Sequence, residues 1–396
     1  MSSLIHFYQK LDADFIRGEG CYLWDKTENR YLDMTSGIGV NNLGFSHAEL
    51  NIEIQAQIQN YIHLSNLFKN TWSEKLSDQL VKITQLNASF FCNSGTEANE
   101  TAIKIAKLYA FEKNIENAKI IVMNQGFHGR TLGALSATSN QKYKEKFGAL
   151  LDDFIFVDFN CIESILDAIQ QHHVCAIMLE PIQGEGGIHI ASTLYLKQLR
   201  KICDQYKILL ILDEIQCGLG RTGYWFYHQK AEIVPDILTI AKGLANGLPI
   251  GACLVNKRLN DLLTPGLHGS TFGGNPLACR VALKVLEIIE RDELILNNKQ
   301  KGEYLINQLQ SKFTSVHGIK SIRGVGLMIA IELNETIDDI SQQLFLQHKI
   351  LINITQNKII RLLPSFLITE DDIQYFCQSL YDFIKTQNIN NKVYLE

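Results

Sequence analysis

The sequence predicts an α/β fold: a sheet with crossover helices on both faces, joined to a smaller domain. Three observations predict it. Short apolar runs recur along the middle of the chain, with helical stretches between several of them. Polar, glycine-rich segments follow several of those runs directly. Toward the C-terminus a long amphipathic stretch is followed by two further strand-like runs.

In chain order, residues 20–33, "GCYLWDKTENRYLD", alternate apolar and polar on either side of the turn-like "DKTEN" and predict a β-hairpin. "ASFFC" (88–92) predicts a strand. "TEANETAIKIAKLYA" (96–110) predicts a helix with Ala98, Ala102, Ile105, Ala106 and Tyr109 on one face. "AKIIVM", "DFIFVD", "CAIMLEPI", "KILLILDEI" and "DILTIAK" predict buried strands. "NPLACRVALKVLEIIE", from residue 275, predicts an amphipathic helix. "VGLMIAIEL" (325–333) and "KIIRLLPSFLI" (358–368) predict strands of the smaller domain. No Pro/Ser-rich linker marks the join, which is expected near residue 280. The expected division is an N-terminal segment 1–50 belonging to the small domain, a large domain 51–280 and the rest of the small domain, 281–396.

Composition narrows the function. The chain has 396 residues, with 46% hydrophobic and 20% charged, ordinary for a soluble globular enzyme. Its 37 basic residues against 42 acidic leave a net charge of −5, which argues against a general nucleic-acid binder. The nine cysteines are scattered, without a C-x-x-C pair or metal-type Cys/His spacing, as in a reduced cytoplasmic chain with no metal site. "MSSLIHFYQK" lacks the pattern of a signal peptide. Runs such as "ILLIL" (208–212) are too short to span a bilayer.

In sheets of this class ligands gather at the carboxyl ends of the strands. After "ASFFC" comes "NSGTEANE", opening a helix. Gly95 and Thr96 could donate to a phosphate there; taken alone, the run reads better as a plain capping box of Ser94 and Glu97. After "AKIIVMNQ" comes "GFHGRT", with Phe127 and Arg130, which singly read as core packing and a surface ion pair. Glu180 and Glu185 follow "CAIMLEPI" at the core edge and in a flexible loop. "DEIQCGLGRTG" contains G-x-G-x-x-G at 218–223, but those glycines lead into "YWFYHQK" instead of opening a helix, so a dinucleotide site is not expected. Asp213 lies directly at the strand end and suits a cationic group. Lys242 follows "LTIA" and precedes "GLANGLPIG". A lysine facing a partly dry pocket loses some of its charged form and becomes a nucleophile toward aldehydes; a lysine with its head in water is the plainer alternative. A phosphate cradle, a buried acid, a flat ring, a nucleophilic lysine and an arginine together fit pyridoxal phosphate.

The runs "CNSGTEANE", "GFHGRT", "EPIQGEGG", "LDEIQCGLGRTG", "AKGLANGLPIG" and "GSTFGGNPLAC" resemble those of the class III aminotransferases, pyridoxal phosphate enzymes of fold type I. "RYLDMTSGIGVNNLG" and "IIRLLPS" extend the resemblance to nearly the whole chain. It implies a large domain with a mostly parallel seven-stranded sheet flanked by helices, and a smaller α+β domain. It also implies roles. Lys242 would carry the cofactor aldehyde and then move the substrate proton. Asp213 would pair with the pyridine nitrogen, and Gln216 would lie near the phenolic oxygen. Phe127 and Ile215 would sandwich the ring. Gly95 and Thr96 would hold the phosphate, with Thr271 reaching it from the neighbouring subunit of a homodimer with shared active sites. Arg130 and Ser270 match substrate-binding positions. Arg361 matches the arginine for the α-carboxylate of glutamate, and Glu185 the glutamate that masks it when an ω-amine is bound. Within the family the likeness is greatest to the acetylornithine transaminases of arginine biosynthesis, with 2-oxoglutarate as amino acceptor. Ornithine, succinylornithine and 4-aminobutyrate are the alternative donors; a non-catalytic binding protein of the same fold is the alternative from another class. Lys69, in "SNLFKN" (65–70), stands where many relatives place an aromatic residue, in a stretch expected to border the substrate entrance.

Overall fold

The computed structural model describes residues 3–8, 10–314, 318–337 and 339–393. Strands β1 (Phe15–Glu19), β2 (Tyr22–Asp25) and β3 (Arg30–Asp33) form an antiparallel meander. The β2–β3 turn is built on Asp25, whose Oδ1 accepts from the N–H groups of Thr27 and Asn29 and from the Thr27 hydroxyl. A carboxylate that bonds backbone two residues on substitutes for a backbone turn.

The central sheet follows. Its strands are β4 (Ala88–Cys92), β5 (Lys119–Met123), β6 (Phe154–Val157) and β7 (Val174–Leu179). After a short hairpin of β8 (Ile182–Gln183) and β9 (His189–Ile190) come β10 (Leu209–Asp213), β11 (Ile237–Ile240) and β12 (Gly251–Val255). The seven strands lie in the order β4-β12-β11-β10-β7-β5-β6. Only β12 runs opposite to the other six. The six expected runs are all strands of this sheet, while β12 is one that the spacing of apolar runs passes over. It returns from β11 without a crossover helix, so the helix that flags a parallel partner is missing.

Side chains alternate across the sheet, as the two-residue period requires. Ile120, Val122, Ala176, Met178, Leu209 and Ile211 face the helix Gly95–Glu112 through its Ala102, Ile105, Ala106 and Tyr109. Ile121, Met123, Ile177, Leu179, Leu210 and Leu212 face the opposite core, with Tyr195, Leu196 and Leu199 of the helix Thr193–Tyr206. Both faces are dry, so the strands read as continuous apolar runs. Among the described residues, no helix is long and apolar enough to cross a membrane.

Toward the C-terminus the helix Pro276–Arg291 starts on an Asn275 cap that accepts from Ala278 N–H at 2.9 Å. A second antiparallel sheet is made of β13 (Ile319–Val325), β14 (Met328–Leu333), β16 (Asn353–Thr355) and β17 (Ile359–Leu362), in the order β13-β14-β17-β16. The remaining strand, β15 (Ile350–Leu351), pairs in parallel with β3 and ties this part to the N-terminal meander.

Two expectations are corrected here. The run 325–333 is not one strand: Gly326 and Leu327 form the turn of a β13–β14 hairpin, with Gly326 at φ +55°. The run 358–368 is a strand only to Leu362. Pro364 cannot donate to a ladder, and the N–H groups of Leu363 and Phe366 go to the carbonyls of Met34 and Asn42 instead. "GLGRTG" indeed opens no helix. Its Arg221 is fully buried and donates to Asn42 Oδ1 and to the carbonyls of Leu327 and Pro364.

The hairpin tip is pressed against the helix Leu294–Phe313, where a Cβ on Gly302 would lie 2.0 Å from the Gly326 carbonyl oxygen. Alanine in a helix interior normally gains about 0.5–1 kcal/mol over glycine. Here the backbone must move, and Gly302→Ala is expected to destabilise the protein by about 1–3 kcal/mol. Chemical denaturation measures it; a raised midpoint would contradict this packing.

Candidate active site

The carboxyl ends of β4, β5, β7, β10 and β11 converge on a cavity of about 360 Å³. Asp213, the last residue of β10, lines it and is 3% exposed. A buried carboxylate must be hydrogen-bonded to remain charged. Asp213 Oδ2 accepts from Asn99 Nδ2 at 2.7 Å and His128 Nδ1 at 2.8 Å, and Oδ1 accepts from the Ile215 N–H at 3.1 Å. Thr239 Oγ1 donates to Asn99 Oδ1 at 2.7 Å, which fixes which end of that amide faces the acid. Burial pulls the His128 pKa down, and the hydrogen bond and charge of Asp213 overcome it, so the net shift is upward. His128 Nε2 has no hydrogen-bond partner among the described residues.

One wall is the N-terminus of the helix Gly95–Glu112, whose first N–H groups have no partner inside the helix. Ser94 caps it by accepting from Glu97 N–H at 3.3 Å, and Glu97 reaches back to the N–H of Asn93 at 2.6 Å. The capping and anion-site interpretations of "NSGTE" are therefore compatible. Thr96 Oγ1 accepts from the N–H groups of Arg130 and Thr131, and a Cβ on Gly129 would lie 2.1 Å from it. The Ile215 side chain closes over Gly95, where a Cβ would come within 2.8 Å of it.

Phe127 is held from behind. Its N–H and that of Gly184 donate to the two oxygens of buried Glu180, at 2.9 and 3.0 Å. Burial first, then the charge of Asp213, pushes the Glu180 carboxyl up to about 7, against the pull of His128. Arg130 lies over the Tyr143 ring at 3.8 Å.

Lys242 opens the turn after β11 at φ +46°, a left-handed conformation that side chains rarely adopt. Burial lowers its amine to about 8, with the Glu185 carboxylate pulling the other way. Arg361 of β17 is 1% exposed. Its Nη1 donates to Glu185 Oε1 at 2.5 Å and to Gln216 Oε1 at 3.3 Å. Burial would raise the Glu185 carboxyl, but Arg361 holds it below its ordinary value. Glu185 and Phe127 also line an outer groove of about 1470 Å³.

Of the expected site residues, Gly95, Thr96, Phe127, Arg130, Asp213, Ile215, Gln216 and Lys242 line one cavity. Arg361 is joined to it through Gln216 and to Glu185. Ser270 lies alongside, accepting from the Gly273 N–H and from Asn93 Nδ2. Thr271 and Lys69 are exposed and line neither the cavity nor the groove. Sequence reasoning missed Asn99, His128 and Thr239 as parts of the site. The usable signal was a polar residue inside an apolar pattern, Asn99 beside Ala98 and Ala102 on the helix face and Thr239 within "ILTI".

A family model for class-III aminotransferases matches residues 6–384. The chain is 44% identical over 366 residues to an acetylornithine aminotransferase of Nitrosomonas europaea, covering 92% of this chain and 93% of that one. It is 42% identical over 379 residues to an acetylornithine aminotransferase of Methanocaldococcus jannaschii, covering 95% and 94%. Among solved structures, an ornithine aminotransferase of Toxoplasma gondii superposes with a TM-score of 0.94 at 30% identity, covering 98% of this chain and 94% of that one. An acetylornithine aminotransferase of Elizabethkingia anophelis does so with 0.86 at 30% identity, covering 96% of each. A further structure of the T. gondii enzyme is described with partial occupancy of pyridoxal phosphate at its active site.

The family's cofactor is pyridoxal phosphate, and the residues present fit it. A phosphate suits the helix start at Gly95 and Thr96. An aldehyde needs the neutral amine that burial favours at Lys242. A cationic ring nitrogen suits the buried Asp213 carboxylate.

Only the neutral form of Lys242 can attack an aldehyde, and its fraction rises as pH passes upward through about 8. The rate at which cofactor-free enzyme takes up pyridoxal phosphate is therefore expected to climb through that pH and level off above it. Stopped-flow absorbance measures the rate, and Lys242→Ala should abolish the covalent phase. A rate flat between pH 6 and 10 would contradict the assignment.

Proposed function

The chain belongs to the class-III aminotransferases, and on that premise we propose that it transfers the δ-amino group of N-acetyl-L-ornithine to 2-oxoglutarate. The products are N-acetyl-L-glutamate 5-semialdehyde and L-glutamate, a step of arginine biosynthesis in the cytoplasm. The observation that carries this reading is the Glu185–Arg361 pair, joined to the lysine cavity through Gln216. One half-reaction brings in an amine whose reacting δ-carbon bears no carboxylate, the other a dicarboxylate with a carboxylate beside the reacting carbon. A buried arginine left bare would repel an incoming ammonium; paired with Glu185 it is neutralised, and released it can take a carboxylate.

Pyridoxal phosphate, when bound, supplies an aldehyde that takes up the amine and a cationic ring that accepts electron density from the adjacent carbon. The chain's residues do the rest in this proposal. Gly95 and Thr96 hold the phosphate at the helix start. Phe127 and Ile215 confine the ring, and Gln216 stands near its phenolic oxygen. Asp213, fixed by Asn99 and His128, keeps the ring nitrogen protonated. Lys242 Nζ takes the proton from the substrate δ-carbon and returns it on the cofactor side, as a general base and then a general acid. Arg130 and Ser270 bind the substrate's far end, and Arg361 takes the α-carboxylate of glutamate.

The enzyme is proposed to be a homodimer with shared sites. Leu67, Phe68, Leu267 and Phe272 are 50–90% exposed, an apolar surface costly to leave in water. They flank Thr271, and Asn66 Nδ2 binds this stretch to the carbonyls of Ser270 and Gly273. Covering that patch with a second subunit would bring Thr271 to the partner's phosphate, in keeping with its exposure and its place outside its own chain's lysine cavity.

The likeness to an ornithine aminotransferase structure keeps ornithine as the competing amine. A half-reaction panel decides: cofactor-loaded enzyme is mixed with N-acetylornithine, ornithine, succinylornithine or 4-aminobutyrate, without oxo acid, and loss of the visible band is followed. Fastest loss is expected with N-acetylornithine. Glu185→Ala should slow the amine half-reaction relative to the glutamate half-reaction by about tenfold or more. An unchanged ratio would remove Glu185 from the switch.

A further inference from the structure

Arg361 offers five N–H donors in a rigid fork, and the proposed switch uses only one end of it. The other edge is occupied. Nε and Nη2 both donate to Asn353 Oδ1, at 3.1 and 2.7 Å. Asn353 lies in β16, directly across the antiparallel ladder from Arg361 in β17. The backbone register therefore delivers the amide to that edge, and the edge is filled by a neutral acceptor. At the Nη1 end sit Glu185 Oε1 and the neutral Gln216 Oε1.

We propose that Asn353 is a positioning and specificity-determining residue for the arginine: by holding its Nε–Nη2 edge without neutralising it, Asn353 forces Glu185 and a substrate carboxylate to compete for the Nη1 end. This assignment rests on the proposed role of Arg361 as the dicarboxylate's partner. Two features make the competition strict. A guanidinium held along one edge cannot rotate to accept a second carboxylate there, so the incoming carboxylate displaces Glu185. An amide carbonyl leaves the full positive charge to be met by whichever carboxylate occupies Nη1, whereas an acid at position 353 would form a permanent forked ion pair and leave neither competitor much to gain. The loop carrying Glu185 is held by its backbone, so that only the side chain need move. Gln356 Nε2 donates to the Glu185 carbonyl at 3.0 Å, and Arg323 donates to the carbonyls of Gly187 and Ile188.

The test uses the cofactor-loaded enzyme and glutarate, a dicarboxylate with no oxo group to react. Calorimetric titration gives its Kd, and the half-reaction rates with N-acetylornithine and 2-oxoglutarate are measured alongside. Asn353→Asp is expected to raise the glutarate Kd about tenfold or more and to lower the ratio of oxo-acid to amine half-reaction rates in step. Asn353→Leu removes the acceptor without adding charge and should raise the Kd by a smaller factor, about threefold. Equal effects of the two substitutions would mean that residue 353 only fills space and would overturn the proposal, as would an Asp variant that binds glutarate like the parent. Should the Asp variant fail to fold, unchanged binding by the Leu variant is sufficient to overturn it. A parent enzyme that reacts with the amine yet does not bind glutarate would instead overturn the role of Arg361 itself.

Discussion

The buried carboxylate of Asp213 is the constraint around which the site is arranged. A carboxylate 3% exposed at the end of a central strand would be ruinous to stability if left unpaired. Its donors come from several parts of the sheet at once: Asn99 from the helix after β4, His128 from the loop after β5, and the Ile215 N–H just beyond β10. Thr239, opposite Asp213 in the parallel β10–β11 ladder, orients Asn99 from behind. Satisfying one charge thus fixes the register of β11 beside β10, the pitch of a long helix and the path of a loop. Lys242, three residues past Thr239, is delivered to the same cavity by that register.

This explains why so much of the site could be read without coordinates. The groups proposed to do the chemistry break the apolar pattern at strand ends. Asp213 follows "LLIL", Lys242 follows "LTIA", and the glycines of "NSGTE" and "GFHGR" mark close backbone approach; a Cβ on Gly129 would overlap Thr96. Less legible were residues whose partners lie far away in the chain. Arg361 stands in an apolar strand, which signals a buried charge, but its partner Glu185 is 176 positions away. Only a resemblance could pair them. Arg221 sits in a glycine-rich run that looks like a nucleotide loop, and its partners Asn42, Leu327 and Pro364 are likewise remote.

The missed fold elements have a common cause. β12 returns antiparallel with no crossover helix, and the Gly326–Leu327 turn lies inside an unbroken apolar run. In both places tertiary packing, not local pattern, decides where the chain turns. Gly326 is pressed onto the backbone of Thr222 on one side and approached by Gly302 on the other. An apolar run carries no mark of such contacts.

In the proposed mechanism Asp213 acts by holding a proton on the cofactor's ring nitrogen, and removing the acid while supplying the charge another way tests that role. Asp213→Ala is loaded either with pyridoxal phosphate or with its ring-N-methylated analogue, which is cationic without a partner, and the amine half-reaction is timed. With the natural cofactor the rate should fall about a hundred- to a thousandfold, and the methylated analogue should restore a large part of that loss. Equal rates with the two cofactors would contradict the claim and leave Asp213 as a structural anchor only.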